Sequence, residues 1–162
     1  DCAEHPLPYN VFSYNEAEEQ FKIRYYFSID KVLEKKYLRK TAIMKWFTWT
    51  KKAIKNFLGL VRNRVWDLAM THIYITDYLG HVAWGTSDFF KAYYLVNSFV
   101  EELLSCIPKD AIMLVVSDHG MCRGKHTNHG FYSLNVKCNW RPKSITDFYP
   151  TITSWLRNIK KA

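Results

Sequence analysis

Three short stretches of this chain carry the residue types that hold metal ions: IYITDYLGH at 73–81, IMLVVSDHG at 112–120 and GKHTNHGFYS at 124–133. The first two are apolar runs that end in a carboxylate and an imidazole, with Asp77 and His81 four residues apart across a glycine and Asp118 next to His119. The third supplies His126 and His129. An acid at a strand end projects from the sheet edge, where open α/β folds place their sites. Carboxylate and imidazole together suit zinc or manganese better than calcium. A lone Asp-x-x-x-His is a weak motif, but buried apolar runs seldom end in Asp-His without a partner. Three such clusters in order, each expected at a strand-to-loop exit, point to a metal centre.

Asp77-Tyr-Leu-Gly-His81, then Ser117-Asp-His-Gly-Met121, then a histidine soon after, resemble the alkaline phosphatase superfamily. The type I phosphodiesterase/nucleotide pyrophosphatase branch is the best match. Ile145-Thr-Asp-Phe-Tyr-Pro-Thr-Ile152 adds to it, being similar to the D-x-x-P-T segment that opens a late helix in these proteins. The resemblance spans residues 66–160 and finds no motif over 1–64. It implies two divalent ions, zinc or else manganese, bridged by the phosphate of a phosphate ester or nucleotide substrate. Asp77, His81 and a later histidine would hold the first ion; Asp118 and His119 would belong to the second. For the later histidine the resemblance favours His126, since relatives show a histidine a few residues before a glycine and an apolar strand, with His129 as the alternative.

The implied reaction is in-line attack on phosphorus by a Thr or Ser, through a covalent phospho-enzyme. The resemblance also calls for an earlier strand ending in Asp, to complete the second metal site, and for the nucleophile at a helix start. Neither is recognisable before residue 66: Asp1 follows no strand, and Thr41, Thr48 and Thr50 fall in a helical, basic stretch. The expectation is therefore a C-terminal part of a longer phosphohydrolase, inactive by itself and completed by an N-terminal portion. A phosphomutase of the same superfamily would share all five ligands. A non-catalytic metal-binding protein is the remaining alternative.

A length of 162 residues suits one domain, and 48% hydrophobic with 17% aromatic residues supports a sizeable core. Six tryptophans and eleven tyrosines exceed what such a core needs, which predicts an exposed apolar face. The net charge of +8 reads mainly as a solvated face built from Lys35, Lys36, Arg39, Lys40, Lys51, Lys52 and Lys55. Arg123 and Lys125, inside the third cluster, are better placed to steer an anionic substrate. No nucleic-acid recognition motif accompanies the basic helices, so a nucleic-acid partner is not expected. No apolar run reaches membrane-spanning length and no signal-peptide pattern is present, which makes the cytoplasm the default compartment. Cys2, Cys106, Cys122 and Cys138 lack the C-x-x-C spacing of a zinc knuckle. Four free thiols are expected, with a Cys122–Cys138 disulfide conceivable in an oxidising compartment.

The elements that must position these residues divide near residue 65. A helical, cap-like block is expected over 1–64, after a loop at Pro6–Asn10, with Ile43, Phe47, Ile54, Leu58 and Val61 forming one amphipathic face. The phosphohydrolase part, 65–162, alternates strand and helix. Strands are expected at 68–76, 111–117 and 131–136, the first carrying His72 as a packed core residue. A helix capped by Thr86 or Ser87 should run to Cys106 with Phe90, Tyr94, Val96, Phe99 and Leu103 as its apolar face. A closing helix follows over 151–160, near Pro150. Strand, helix, strand with a right-handed crossover predicts a mostly parallel α/β sheet flanked by helices, the C-terminal half of an alkaline phosphatase-like fold.

Overall fold

A computed structural model of the chain describes residues 11–14 and 27–159. The expected loop at residues 6–10 and the helical reading of 16–26 lie outside them. In chain order the elements are strand β1 (Val11–Tyr14), helix α1 (Ile29–Glu34), helix α2 (Arg39–Asn63), strand β2 (Leu68–Thr71), helix α3 (Ile75–Ala83), helix α4 (Ser87–Cys106), strands β3 (Leu114–Ser117), β4 (Gly120–Cys122), β5 (Lys125–Thr127) and β6 (Phe131–Leu134), and helix α5 (Phe148–Ile159). One-turn 3-10 helices precede α2 and α5.

The long helix α2 organises the core. Its buried residues Ala42, Trp46, Trp49, Ala53, Phe57 and Val61 recur at intervals of three and four, so one stripe faces inward along its length. Ile54 and Leu58 belong to that stripe as expected, while Ile43 and Phe47 flank it, half-buried. At one end Trp46 packs with Val32, Ile75, Leu79, Val82 and Ala92, binding α1, α3 and α4 together. At the other, Phe57, Leu58 and Val61 meet Phe99 of α4, with an edge-to-face contact between Phe57 and Phe99 at 6.1 Å. Lys35, Lys36, Arg39, Lys40, Lys51, Lys52 and Lys55 all face solvent.

The strands depart from the expected sheet. Among the described residues only β1 and β2 pair in parallel, in the register Val11↔Leu68 to Tyr14↔Thr71. β3 pairs antiparallel with β6 (Leu114↔Leu134, Ser117↔Phe131), and β4 with β5. Among the described residues each sheet has two strands, and β2 and β3 share no ladder. The physical reason is local: two helices separate β2 from β3, whereas the chain after Ser117 returns at Phe131, and antiparallel pairing needs only such a short connection. β3 begins at Leu114 and is half-exposed rather than covered on both faces. Met70 of β2, Val116 of β3 and Phe131 of β6 stand exposed, so two of these three sheets carry an apolar residue in solvent.

Two further expectations are corrected. The apolar run at 73–81 is not the end of a strand: β2 stops at Thr71 and Ile75–Ala83 is helical. His72 consequently lies past the strand, exposed, its ring 3.8 Å from that of Tyr74. In α4 the buried residues are Phe89, Ala92 and Phe99, which turns Phe90 and Tyr94 outward. The Thr86 cap is present, its hydroxyl accepting from Phe89 N–H at 3.4 Å. Asp147 and Ser144 form a capping box at the entry to α5. Cys106, Cys122 and Cys138 are free thiols, and Cys106 is half-buried at the end of α4. No helix among the described residues is long and apolar enough to cross a membrane.

Candidate metal centre

The centre is built on α3. Ile75, Leu79, Val82 and Ala83 are buried on one side of this helix, and the spacing of four puts Asp77 and His81 together on another. Asp77 sits in the first turn and His81 in the last. Gly80 is therefore not a turn residue. A Cβ there would meet Met121 Cγ at 2.7 Å, so the missing side chain is the notch that admits β4.

The β4–β5 hairpin brings the third candidate ligand, His126. Its two-residue turn, Arg123-Gly124, has φ of 50° and 80°, the positive values that type I′ turns require to match strand twist. A non-glycine residue in that region costs roughly 1–2 kcal/mol. Met121 and His126 are directly opposed in the hairpin, and opposed residues share a face. Met121 enters the Gly80 notch, and the same face lays His126 over Asp77 and His81. His126 thus lies on a strand.

Three ligand atoms converge there. His126 Nε2 is 3.0 Å from Asp77 Oδ1 and 2.8 Å from His81 Nε2, and His81 Nε2 is 3.4 Å from Asp77 Oδ1. Bonds of about 2.0–2.2 Å to a tetrahedral zinc would set such atoms roughly 3.4 Å apart. The donor set therefore fits the ion. His81 Nδ1 lies 2.9 Å from the Gly124 carbonyl; a carbonyl only accepts, so Nδ1 carries the proton and Nε2 presents a lone pair. The hairpin turn thereby orients the ligand on the helix.

His119 stacks on His126 at 3.6 Å, with Nε2 3.9 Å from Asp77 Oδ1 and 3.7 Å from Asp118 Oδ1. Its Nδ1 is 3.1 Å from the Gly120 carbonyl, the same kind of anchor. Asp77, His81 and His126 thus form one cluster against which His119 stacks, while Asp118, its side chain 77% exposed, touches only the neighbouring His119 ring among these residues. His129 does not join them: it is exposed, and its backbone carbonyl accepts from the Thr127 hydroxyl at 3.3 Å. Arg123 and Lys125 are exposed in and beside the turn.

Glycines allow the close approaches around this locus. A Cβ on Gly130 would run into the Ser117 carbonyl oxygen and reach the Asp118 backbone at 3.0 Å, so only glycine lets β6 start against the end of β3. One neighbour escaped the sequence reading. Tyr93 of α4, packed on Phe89 at 5.0 Å, has its phenol pushed up, first by burial and then by the charge of Asp77. Its spacing of four from Phe89 was the available signal.

No curated protein and no solved structure matches the chain. A family model does, over residues 11–153, beginning at β1 and so taking in α1 and α2, where the motifs gave no sign of kinship. With that match covering most of its length, the chain belongs to the type I phosphodiesterase / nucleotide pyrophosphatase family, a family of phosphoester hydrolases.

Proposed function

We propose that the chain forms the metal-binding part of a phosphodiesterase or nucleotide pyrophosphatase that cleaves phosphoester bonds at a two-ion site. Asp77, His81 and His126 hold the first ion, and Asp118 and His119 contribute to the second. Zinc fits the mixture of nitrogen and oxygen donors best, and manganese is the alternative. The observation that carries this reading is the convergence of three ligand atoms, all within 4.8 Å of one another, around an imidazole whose far nitrogen is already fixed by a backbone carbonyl.

When bound, such ions supply positive charge to the attacking and leaving oxygens of an in-line displacement at phosphorus. The residues of this chain position and orient. Asp77 and His81 are set by the helix, His126 by the hairpin and His119 by the bend just before it, and none is placed as a general base. Arg123 and Lys125 hold positive charge at the turn, where they favour approach of an anionic ester. Thr41, Thr48 and Thr50 do not serve as nucleophile: all lie on α2, with the Thr48 hydroxyl donating to the Met44 carbonyl at 2.9 Å and Thr50 buried. The Thr or Ser nucleophile and a further Asp ligand come from a portion of the protein outside these residues, and the chain alone hydrolyses diesters poorly.

Zinc titration by calorimetry tests the ligand set. His81→Ala should weaken binding far more than His72→Ala, which alters an exposed ring outside the locus. Equal losses in two folded variants would refute the assignment. Rapid, chelator-sensitive turnover of a bis-aryl phosphodiester would show that the nucleophile lies within these residues.

A further inference from the structure

The whole net charge of the chain sits on one block. Ten basic and two acidic residues fall between residues 29 and 63, so this block alone carries the +8 of the protein and the remaining charges balance. Both acids, Asp30 and Glu34, lie on α1, and α2 has none over its 25 residues. The one-turn 3-10 helix at Lys36–Leu38 runs directly into α2. Along the two, Tyr37, Lys40, Met44, Thr48, Lys51 and Lys55 recur at intervals of three and four, so they line one face. It lies opposite the buried stripe through Trp46 and Phe57 and extends about 27 Å at 1.5 Å per residue. All six residues are exposed, Tyr37 by 77% and Met44 by 61%. The Thr48 hydroxyl donates to the Met44 carbonyl at 2.9 Å, so it makes no demand on an outside partner. Arg62 closes the face in an ion pair with Glu102 of α4 at 2.7 Å.

We propose that this face of α2 docks the protein on a membrane surface rich in anionic lipid. The occupant follows from the mixture of residues. Lysines with no acid among them call for an anionic surface, and large apolar side chains left in solvent call for a place to bury them. A bilayer interface supplies both. The ammonium groups reach the lipid phosphates, while Met44 and the ring of Tyr37 enter the acyl boundary and the Tyr37 hydroxyl stays in the polar layer. A nucleic-acid backbone would use the lysines and leave Met44 in water. The helix is too charged to cross a bilayer, so it lies along the surface. α3 packs on the opposite, buried side of α2, so docking leaves the metal centre uncovered, and the inference stands apart from the function proposed above.

The test is flotation of the full chain with vesicles of phosphatidylcholine alone or of phosphatidylcholine mixed with phosphatidylserine, in chelator so that no metal ion holds a lipid phosphate. Binding should require phosphatidylserine and weaken as salt rises. Each basic residue at an anionic surface corresponds to roughly fivefold in partitioning, so Lys51→Gln with Lys55→Gln should cost about 25-fold. Lys137→Gln with Lys143→Gln removes the same charge from exposed positions after β6 and should cost far less. Met44→Gln keeps the charge and should cost several-fold on the vesicles while leaving binding to duplex DNA unchanged. Thermal unfolding checks that each variant is folded. Absence of binding to phosphatidylserine vesicles at physiological ionic strength would overturn the proposal. Equal losses in the two double variants would assign binding to net charge alone and overturn the face. If Met44→Gln binds vesicles like the parent, the contact is with charge only, as on a nucleic acid, and the membrane assignment is overturned.

Discussion

Replacing Gly80 with alanine tests how the hairpin is held against α3. The new Cβ would stand 2.7 Å from Met121 Cγ and 2.8 Å from Cε, so Met121 must give by about 1 Å to reach ordinary van der Waals separation. Alanine favours the helix by roughly 0.5–1 kcal/mol over glycine, while overpacking costs about 1–3 kcal/mol. The net expectation is a stability change between neutral and about 2.5 kcal/mol destabilising. Metal affinity should respond more clearly. Met121 and His126 share one face of the hairpin, so pushing the first away withdraws the second from Asp77 and His81. A loss of around 10–100-fold in zinc affinity is expected, as for other changes that disturb ligand orientation. Met121→Ala on the same background removes the obstructing atoms and should restore most of it, a coupling that a double-mutant cycle measures. Thermal unfolding and zinc calorimetry on the single and double variants provide the data. If Gly80→Ala gains the full helix-propensity benefit and binds zinc as tightly as the parent, the notch reasoning is refuted.

Other consequences are open to the same methods. His126→Ala should remove a ligand and cost zinc affinity heavily while His129→Ala leaves it nearly unchanged; a cobalt spectrum altered only by the second would exchange the two roles. Arg123→Gly should raise the denaturation midpoint by the equivalent of about 1 kcal/mol, because glycine adopts the positive φ of the turn without penalty. It should also weaken binding of an anionic phosphate ester, and an unchanged midpoint would deny the strained turn. Asp147 is held below the usual carboxylate range by the N–H groups of Lys143 and Ser144. Its contribution to the α5 cap is therefore complete above that range and disappears as the pH falls through the depressed value. Asp147→Asn should remove this acid-dependent step from amide exchange in α5, and an identical pH profile would exclude the cap as its source.

The candidate site was easier to read than the fold around it. Asp77, His81 and His126, which the structure brings together, were singled out by residue type and order, and these do not depend on knowing which element carries them. The element at 73–81 was misread because Ile73, Tyr74, Ile75 and Thr76 form a short apolar run, for which periodicity does not separate strand from helix. Gly80 then resembled a turn when its role is close packing. The face of α4 was misjudged for a related reason. Phe89, Phe90, Tyr93 and Tyr94 make two adjacent sides of the helix aromatic, and only packing against α2 and α3 decides which is buried. The Arg123-Gly124 turn was missed because arginine is not among the residues that usually announce a positive φ. β1 was missed because four residues give little periodicity, and its partner lies more than fifty residues along the chain.

The division of ligands between helix and hairpin has a thermodynamic consequence. His81 and His126 are 45 residues apart in sequence, so an ion held by both acts as a cross-link. On the chain-entropy model a link of that span restricts the unfolded chain by about 4 kcal/mol. Folding and metal occupancy are then one linked equilibrium. The melting temperature should climb with zinc concentration for as long as free ion exceeds its dissociation constant. The β4–β5 hairpin, which has few other attachments to the helices, should gain most of the protection against amide exchange.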